Sequence, residues 1–380
     1  MNIYRVGDIK DKREALKKLG VEAGGVSIMS QKMETLIFYI SNLPTPAVNI
    51  LKQDALSIGA ELAVPSGVIL CERSSYDCIL MGTERHIKIL SKKELSQPFG
   101  LKDIAKELQL HLSKERIYPT QIMGVINANS DSFFKGSRFL SDDAILEIEY
   151  MIEDGATIID IGAVSSRPNA PTVDKSEEMR RVLDICDTIR DKELYKRAIF
   201  SIDSTTPEVI EYALKSGFKI INDVSGVQDD RVLHLASKYS AKIVIMHIQG
   251  TPQTMQNNPH YEDVISEIDE FFREKISKCE DMGIERESII LDVGIGFGKT
   301  LEHNISLIKN LSHFKKFGCE ILIGASRKSM IDHIIPTEVE DRLSGTLAIH
   351  LKALERGASI VRCHDVLEHK RAISVWNALN

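Results

Sequence analysis

Eight short apolar runs in the C-terminal two-thirds of the chain each deliver a polar or ionisable side chain at or near their end. QIMGVINA supplies Asn127, TIIDIGA carries Asp160 and runs into Ser165, Ser166 and Arg167, AIFSID ends at Asp203, and IINDV holds Asn222 and Asp223. KIVIMH closes on His247, IILDVG carries Asp292, ILIGAS leads into Ser326, Arg327 and Lys328, and ASIVRCH ends in Arg362 and His364. One such residue is ordinarily a helix cap or turn former, and that reading suits Ser204 and Asp223. It does not suit Asp203, Asp292, Lys328 and Arg362 together, because opposed charges inside apolar runs are costly unless paired or ligand-bound. These four read as catalytic. Asp203, Asp292, Asn222 and Asn127, set among Met246 and Phe297, suit a flat heterocycle with N–H donors and ring acceptors. Arg167, Arg362 and His364 suit a phosphate or carboxylate, with Arg offering a bidentate fork.

The elements that position these residues follow from pattern. Each run is four to seven residues of nearly unbroken, β-branched hydrophobicity, as expected of a strand covered on both faces. Intervening stretches such as SDDAILEIEYMIEDG and PEVIEYALKSG have three-to-four-residue apolar spacing and stop at Gly, which predicts helices. Strand–helix alternation implies a parallel sheet, and eight βα units in about 260 residues match a (β/α)8 TIM barrel. A doubly wound open sheet has the same periodicity. Residues 1–115 mix strand-like pieces (METLIFYISNL, ELAVPSGVILCE, DCILMGTERHIKIL) with helix-like ones (DKREALKKLG, TPAVNILKQDALSIGAEL). They predict a small N-terminal α/β domain, joined by a helix from about Leu101 to a barrel over 116–380.

Composition narrows the classes. Lys plus Arg is 48 against 55 Asp plus Glu, a net charge of −7, which argues against a nucleic-acid partner. No window reaches the roughly 18 apolar residues of a spanning helix, and the N-terminus is charged from Arg5 rather than signal-like, so no membrane partner and a cytoplasmic location are expected. Six scattered cysteines without a CxxC suit reduced, mostly buried thiols. GIGFGKT invites a nucleotide-binding reading, but Gly294 and Gly298 enclose only three residues, and Lys299 stands where a dinucleotide fingerprint needs its third Gly. A glycine-rich loop that lets backbone approach a flat ligand fits better. His303, His313 and His333 read as surface residues, and His247 as a ligand or a loop anchor.

These segments resemble the dihydropteroate synthases, the folate-pathway enzymes inhibited by sulfonamides, over about residues 118–380. MGVINANSDSFF, DIGAVSSRPNAP, SIDSTTPEV, INDVSG, MHIQGTPQTMQ, LDVGIGFGK, GASRKSMI and RCHDV follow in family order. The resemblance implies a (β/α)8 barrel that joins 4-aminobenzoate to hydroxymethyl-dihydropterin pyrophosphate, giving dihydropteroate and pyrophosphate. It implies that Asp203, Asn222, Asp292 and Lys328 hydrogen-bond the pterin between Met246 and Phe297. It further implies that Asn127 helps hold Mg2+, that Arg362 and His364 bind the pyrophosphate, and that Ser326 and the stem of Lys328 receive the aminobenzoate. Phe133, Ser166, Arg167 and Pro168 would belong to mobile loops over the site. The implied reaction is dissociative, with pyrophosphate leaving first, so no side-chain nucleophile is required. Family members are commonly homodimers. The chain departs from the family pattern at Asn129-Ser130, Ala163, Val164, Ser166, Asn169 and Val293.

Two alternatives share the pterin pocket: a methyltransferase acting on methyltetrahydrofolate, and an inactive pterin-binding paralogue. The first has no need of SRKS or of Arg362 with His364. Residues 1–115 show no pterin-kinase or aldolase motif, which argues against a bifunctional folate enzyme and leaves dimerisation or stabilisation as their expected role.

Overall fold

The computed structural model describes residues 3, 9, 11–113, 116–128, 137–164 and 173–379, without the side chains of 137–142. The chain divides into two compact units, Met1–Glu115 and Arg116–Leu379.

The first unit runs α1 (Lys12–Lys18), α2 (Ala23–Ser30), β1 (Thr35–Pro44), α3 (Thr45–Ile58), β2 (Glu61–Ala63), β3 (Ser75–Thr83), α4 (Glu84–Lys93) and α5 (Leu101–His111). Its antiparallel sheet has the order β1-β3-β2. Alternate residues Tyr76, Cys78 and Leu80 of β3 are buried in one cluster with Ala47, Val48, Leu51 and Ala55 of α3 and Ile87 and Leu90 of α4, the period-two and near-four spacings of strand and helix. Two strand-like stretches are shorter than their composition suggests. ERHIKIL is helical because Thr83 and His86 form a capping box at its start, and Ile87 and Leu90, three apart, share a buried face. After Ala63 the chain turns at Pro65, which lacks an N–H, and Gly67, whose φ is +85°.

The second unit is a closed eight-stranded parallel barrel. Its elements are β4 (Gln121–Asn127), α6 (Ser137–Glu153), β5 (Ile158–Gly162), α7 (Lys175–Asp191), β6 (Ile199–Asp203), α8 (Pro207–Lys215), β7 (Ile220–Asp223), α9 (Asp230–Tyr239), β8 (Lys242–Met246), α10 (Val264–Asp281), β9 (Ile289–Asp292), α11 (Leu301–Lys309), β10 (Glu320–Ile323), α12 (Ser329–Ile334), α13 (Leu343–Glu355), β11 (Ile360–Cys363) and α14 (Val366–Leu379). β11 pairs with β4 and closes the ring, which excludes the open doubly wound sheet. Outward strand residues such as Ile159, Phe200, Ile202 and Ile221 join the helices in one large core. Met123, Ile158, Ile220, Val244, Ile290, Leu322 and Ile360 form a separate buried cluster that plugs the barrel interior. Because strand side chains alternate, the residues two positions further on point inward again, one layer nearer the rim. They are Val125, Asp160, Asn222, Met246, Asp292, Gly324 and Arg362. The polar layer is therefore a consequence of register.

Candidate active site

On this apolar plug the strand ends assemble a charged floor. Asp160, fully buried in β5, accepts through Oδ2 from Nδ2 of Asn222 (2.9 Å) and from Nε of Arg362 (2.7 Å). Nη2 of Arg362 donates to Oδ2 of Asp203 (2.8 Å). One guanidinium thus spans two carboxylates from neighbouring strands. Burial opposes its charge, but Asp160 and Asp203 hold its pKa above the ordinary arginine value. Burial pushes the Asp203 carboxyl up to about 7; Arg362 opposes the rise, and the nearby Asp160 charge adds to it. Burial also raises the pKa of Asp292, against the N–H of Gly294 and the charges of Arg362, Lys328 and Lys299. Across the floor, Oδ1 of Asp292 accepts from Gly294 N (2.8 Å). Donating Nδ2 to Asp160 fixes the Asn222 amide, so its carbonyl oxygen and remaining N–H are the groups left for a ligand.

The walls come from the loops after β8 and β9. Met246, Phe297 and Met255 pack in a buried apolar cluster, and the Lys328 ammonium lies 4.1 Å from the Phe297 ring centroid. Phe297 is held from several directions: Nε2 of Gln256 donates to Gly296 O, Asn304 accepts from Gly296 N, and the Tyr261 hydroxyl donates to Gly298 O. Beneath it the buried Lys299 contacts Nδ1 of His247 at 3.0 Å and donates to the carbonyls of His247 (3.3 Å) and Phe297 (3.0 Å). Burial and this ammonium push the His247 pKa down to about 3, so the ring is neutral and accepts at Nδ1. His247 is a loop anchor. The glycines here differ from expectation. A Cβ on Gly294 (φ +67°) would sit 2.0 Å from the His247 carbonyl oxygen, and one on Gly298 (φ +64°) 2.7 Å from that of Gln249. They admit the neighbouring loop; only at Gly296 would a Cβ meet the stem of Lys328, at 3.5 Å.

The loops after β10 and β11 are joined. Ser326 Oγ and His364 Nδ1 lie 2.9 Å apart, and Arg327 binds Asp365 through Nε (3.1 Å) and Nη2 (2.5 Å). Asn127 stands half-buried at the rim end of β4, opposite Gly162. Phe133, Ser166, Arg167 and Pro168 lie outside the described residues. Ser204 and Asp223 serve their turns, Ser204 accepting from Thr206 N while donating to Glu178, and Asp223 accepting from Ser225. Two histidines read as surface residues have structural partners: His303 forms a capping box with Thr300, and His313 pairs with Asp269 at 2.9 Å. Their partners are side chains that the folded helices bring up. His333 is exposed.

Sequence reasoning placed Asp160 on its strand but not in the site. Its signal was an ionisable residue in the middle of a buried apolar run, which requires a partner. Met255 and Lys299 had no such signal, since both face inward from loops.

A closed parallel barrel whose charged residues converge at the C-terminal ends of its strands is a (β/α)8-barrel enzyme. Comparison with known proteins makes this specific: residues 123–364 match the pterin binding enzymes, and the chain belongs to that family. It is 43% identical over 367 residues to a bifunctional dihydropteroate synthase/dihydropteroate reductase of Helicobacter pylori, covering 97% of this chain and 96% of that one. The fold is similar to the Yersinia pestis dihydropteroate synthase in a sulfonamide drug complex, with a TM-score of 0.64 and 34% identity over 70% of this chain and 99% of that one. It is also similar to the Xanthomonas albilineans dihydropteroate synthase in complex with 7,8-dihydropteroate, with a TM-score of 0.61 and 31% identity over 69% and 94%.

Proposed function

We propose that the chain is a dihydropteroate synthase, a transferase that condenses 6-hydroxymethyl-7,8-dihydropterin pyrophosphate with 4-aminobenzoate to give 7,8-dihydropteroate and pyrophosphate. The observation that carries the reading is the single polar layer of Asp160, Asn222, Asp292 and Arg362, with Asp203, above the barrel plug. Asp203, Asn222 and Asp292 present acceptors and an amide to the edge of a pterin, whose faces meet Met246 and Phe297. Lys328 donates to the ring from above Phe297. Carboxylates beneath the ring offset positive charge as the ester C–O bond breaks and its electron pair leaves with pyrophosphate. The amine nitrogen of 4-aminobenzoate, received by Ser326 and the stem of Lys328, then uses its lone pair to bond to the pterin methylene carbon and loses one N–H proton to water.

Arg362 and His364 bind the pyrophosphate in this reading. Arg362 is also tied to Asp160 and Asp203, so its removal disturbs the pterin floor as well as the anion. Arg362→Ala should therefore weaken both free pterin and the pyrophosphate-bearing substrate, and an excess loss for the latter by calorimetry reads the anion contact; equal losses would remove Arg362 as an anion ligand. Among the described residues no group of three His, Cys, Asp or Glu is placed to hold a metal ion. Mg2+, which keeps several waters and binds substrate phosphate oxygens, would be held on the protein side through the Asn127 amide oxygen. When bound, the ion supplies charge neutralisation at the leaving pyrophosphate.

Incubation with the pterin pyrophosphate, Mg2+ and 4-aminobenzoate should release dihydropteroate and pyrophosphate in equal amounts. Tight pterin binding without pyrophosphate release would sink the reading in favour of an inactive pterin-binding protein. We further propose a cytoplasmic homodimer. The six cysteines are all unpaired, five of them buried, which suits a reducing compartment. Ile334, Ile335 and Val339 of the second unit are exposed apolar residues available for self-association, and sedimentation should give twice the 42.6 kDa chain mass. No helix among the described residues is long and apolar enough to cross a membrane.

One observation favours a second activity. The identity to the Helicobacter pylori protein runs through the N-terminal unit, and the name of that protein adds dihydropteroate reductase. In place of a dimerising or stabilising role, the first unit would support reduction of the product: hydride to C6 and a proton to N5 of the dihydropterin C=N bond, with a reduced nicotinamide or flavin as donor. Tetrahydropteroate formed from dihydropteroate and such a donor would establish it. No consumption of either donor would leave the synthase alone.

A further inference from the structure

We propose that His350 and His369, on the outer helices α13 and α14, are positioning residues that hold the Ser326–Lys328 turn against the His364–Asp365 loop through a one-directional chain of hydrogen bonds. The chain begins at the backbone N–H of Ala325, immediately before Ser326, which donates to Nε2 of His350 (3.0 Å). Nδ1 of His350 is 2.8 Å from Nε2 of His369, and Nδ1 of His369 is 2.6 Å from the carbonyl oxygen of Asp365, next to His364.

Its direction is forced. A backbone N–H can only donate, so Nε2 of His350 accepts, and a neutral imidazole then carries its proton on Nδ1. That proton goes to Nε2 of His369, which leaves Nδ1–H of His369 for the Asp365 carbonyl, a group that can only accept. Both rings are 1% exposed, and burial lowers both pKa values, to about 3 for His350, so both rings are neutral. Each ring is the Nδ1–H tautomer.

What the chain holds is a strained turn. Arg327 has φ +55°, the left-handed region that is unfavourable for a non-glycine residue. One face of α13 secures it at two points a helical turn apart: Thr346 Oγ1 accepts from Arg327 N (2.9 Å), and His350 accepts from Ala325 N. Arg342 adds a bond from Nη1 to the Arg327 carbonyl (3.3 Å). The strained turn aims Ser326 and Lys328 at the pocket, while His369 ties the same framework to the strand end that carries Arg362 and His364. Neither histidine is among the residues assigned to substrate.

The role of this turn in receiving 4-aminobenzoate rests on the synthase reading. His350→Leu leaves the Ala325 N–H unsatisfied, whereas His350→Gln can accept from Ala325 and donate to His369. With folding checked by circular dichroism, His350→Leu should raise KM for 4-aminobenzoate about tenfold, one hydrogen bond's worth, and weaken pterin binding measured by calorimetry by a smaller factor, because only Lys328 of the pterin contacts belongs to this turn. His350→Gln should restore most of the loss. An unchanged KM in His350→Leu, or equal impairment in the two variants, would overturn the assignment. An independent readout needs no turnover: long-range proton–nitrogen NMR of the 15N-labelled wild-type protein should show both rings protonated at Nδ1 and bare at Nε2. A ring carrying its proton on Nε2 would break the chain. Should the wild type fail to consume 4-aminobenzoate, the reaction assignment falls and the tautomers alone decide the chain.

Discussion

Asp160 meets two donors that lie 62 and 202 residues away along the chain, Asn222 and Arg362. Replacing its charged acceptor while keeping its shape, Asp160→Asn, should lower kcat/KM for the pterin substrate roughly ten- to a hundredfold, the range for losing a hydrogen bond to a charged group. Unchanged kinetics would remove Asp160 from the site. Asp203 sets a pH dependence. Its carboxyl, pushed up to about 7 by burial against the opposing Arg362 charge, is protonated below that pH and cannot then accept freely from a pterin N–H. Hence kcat/KM should climb with pH to a plateau above about 7, and Asp203→Asn should lose the inflection; a flat wild-type profile from about pH 5.5 to about 8 would contradict this. Much of this candidate site was legible in the sequence, because Asp203, Asn222, Asp292 and Arg362 sit at or near the ends of short, nearly unbroken apolar runs that read as buried strands. The partners were not. That Arg362 spans Asp160 and Asp203, or that Lys299 supports His247, depends on barrel closure and on loop paths, which no local pattern encodes.

At the scale of elements, the loop after β9 owes its path to glycine. Gly294→Ala combines a left-handed φ with a Cβ 2.0 Å from a carbonyl oxygen, and it should destabilise the barrel by more than the roughly 1 kcal/mol expected from backbone strain alone. Gly296→Ala, also left-handed but with its nearest new contact at 3.5 Å, should cost about that strain. Urea denaturation of the pair separates close approach from strain; equal losses would mean that the contact relaxes freely. In the first unit, Glu94 is fully buried just after α4, and burial with the neighbouring Asp54 carboxylate raises its pKa to about 7. Its folded pKa lies above the unfolded one, so its share of stability is fully present below about pH 4.5 and lost as pH rises through 7. Glu94→Gln should therefore stabilise the first unit at pH 8 by on the order of 1–3 kcal/mol and change little at pH 4. Denaturation at the two pH values tests the sign. The strands and helices of the barrel were readable because every unit repeats one pattern, whereas closure of the sheet was not, since a doubly wound open sheet has the same periodicity. The first unit was less so: ERHIKIL carries an apolar density that suits a strand, and only the Thr83–His86 cap and the three-residue spacing of Ile87 and Leu90 decide for a helix.

For the whole molecule, the barrel plug, the polar floor and the rim loops described above all come from Arg116–Leu379. A chain lacking residues 1–115 should retain synthase turnover, and any reductase activity of the intact chain should disappear with the missing unit. Loss of both would show that the barrel depends on the first unit to fold or to act. The apolar plug has a further consequence. Met123, Ile158, Ile220, Val244, Ile290, Leu322 and Ile360 fill the barrel interior beneath the polar floor, so a ligand reaches that floor from the rim side. With the pterin on that floor, as proposed, it should bind before the aminobenzoate. A competitor of the second substrate should then bind only to the protein with a pterin already in place.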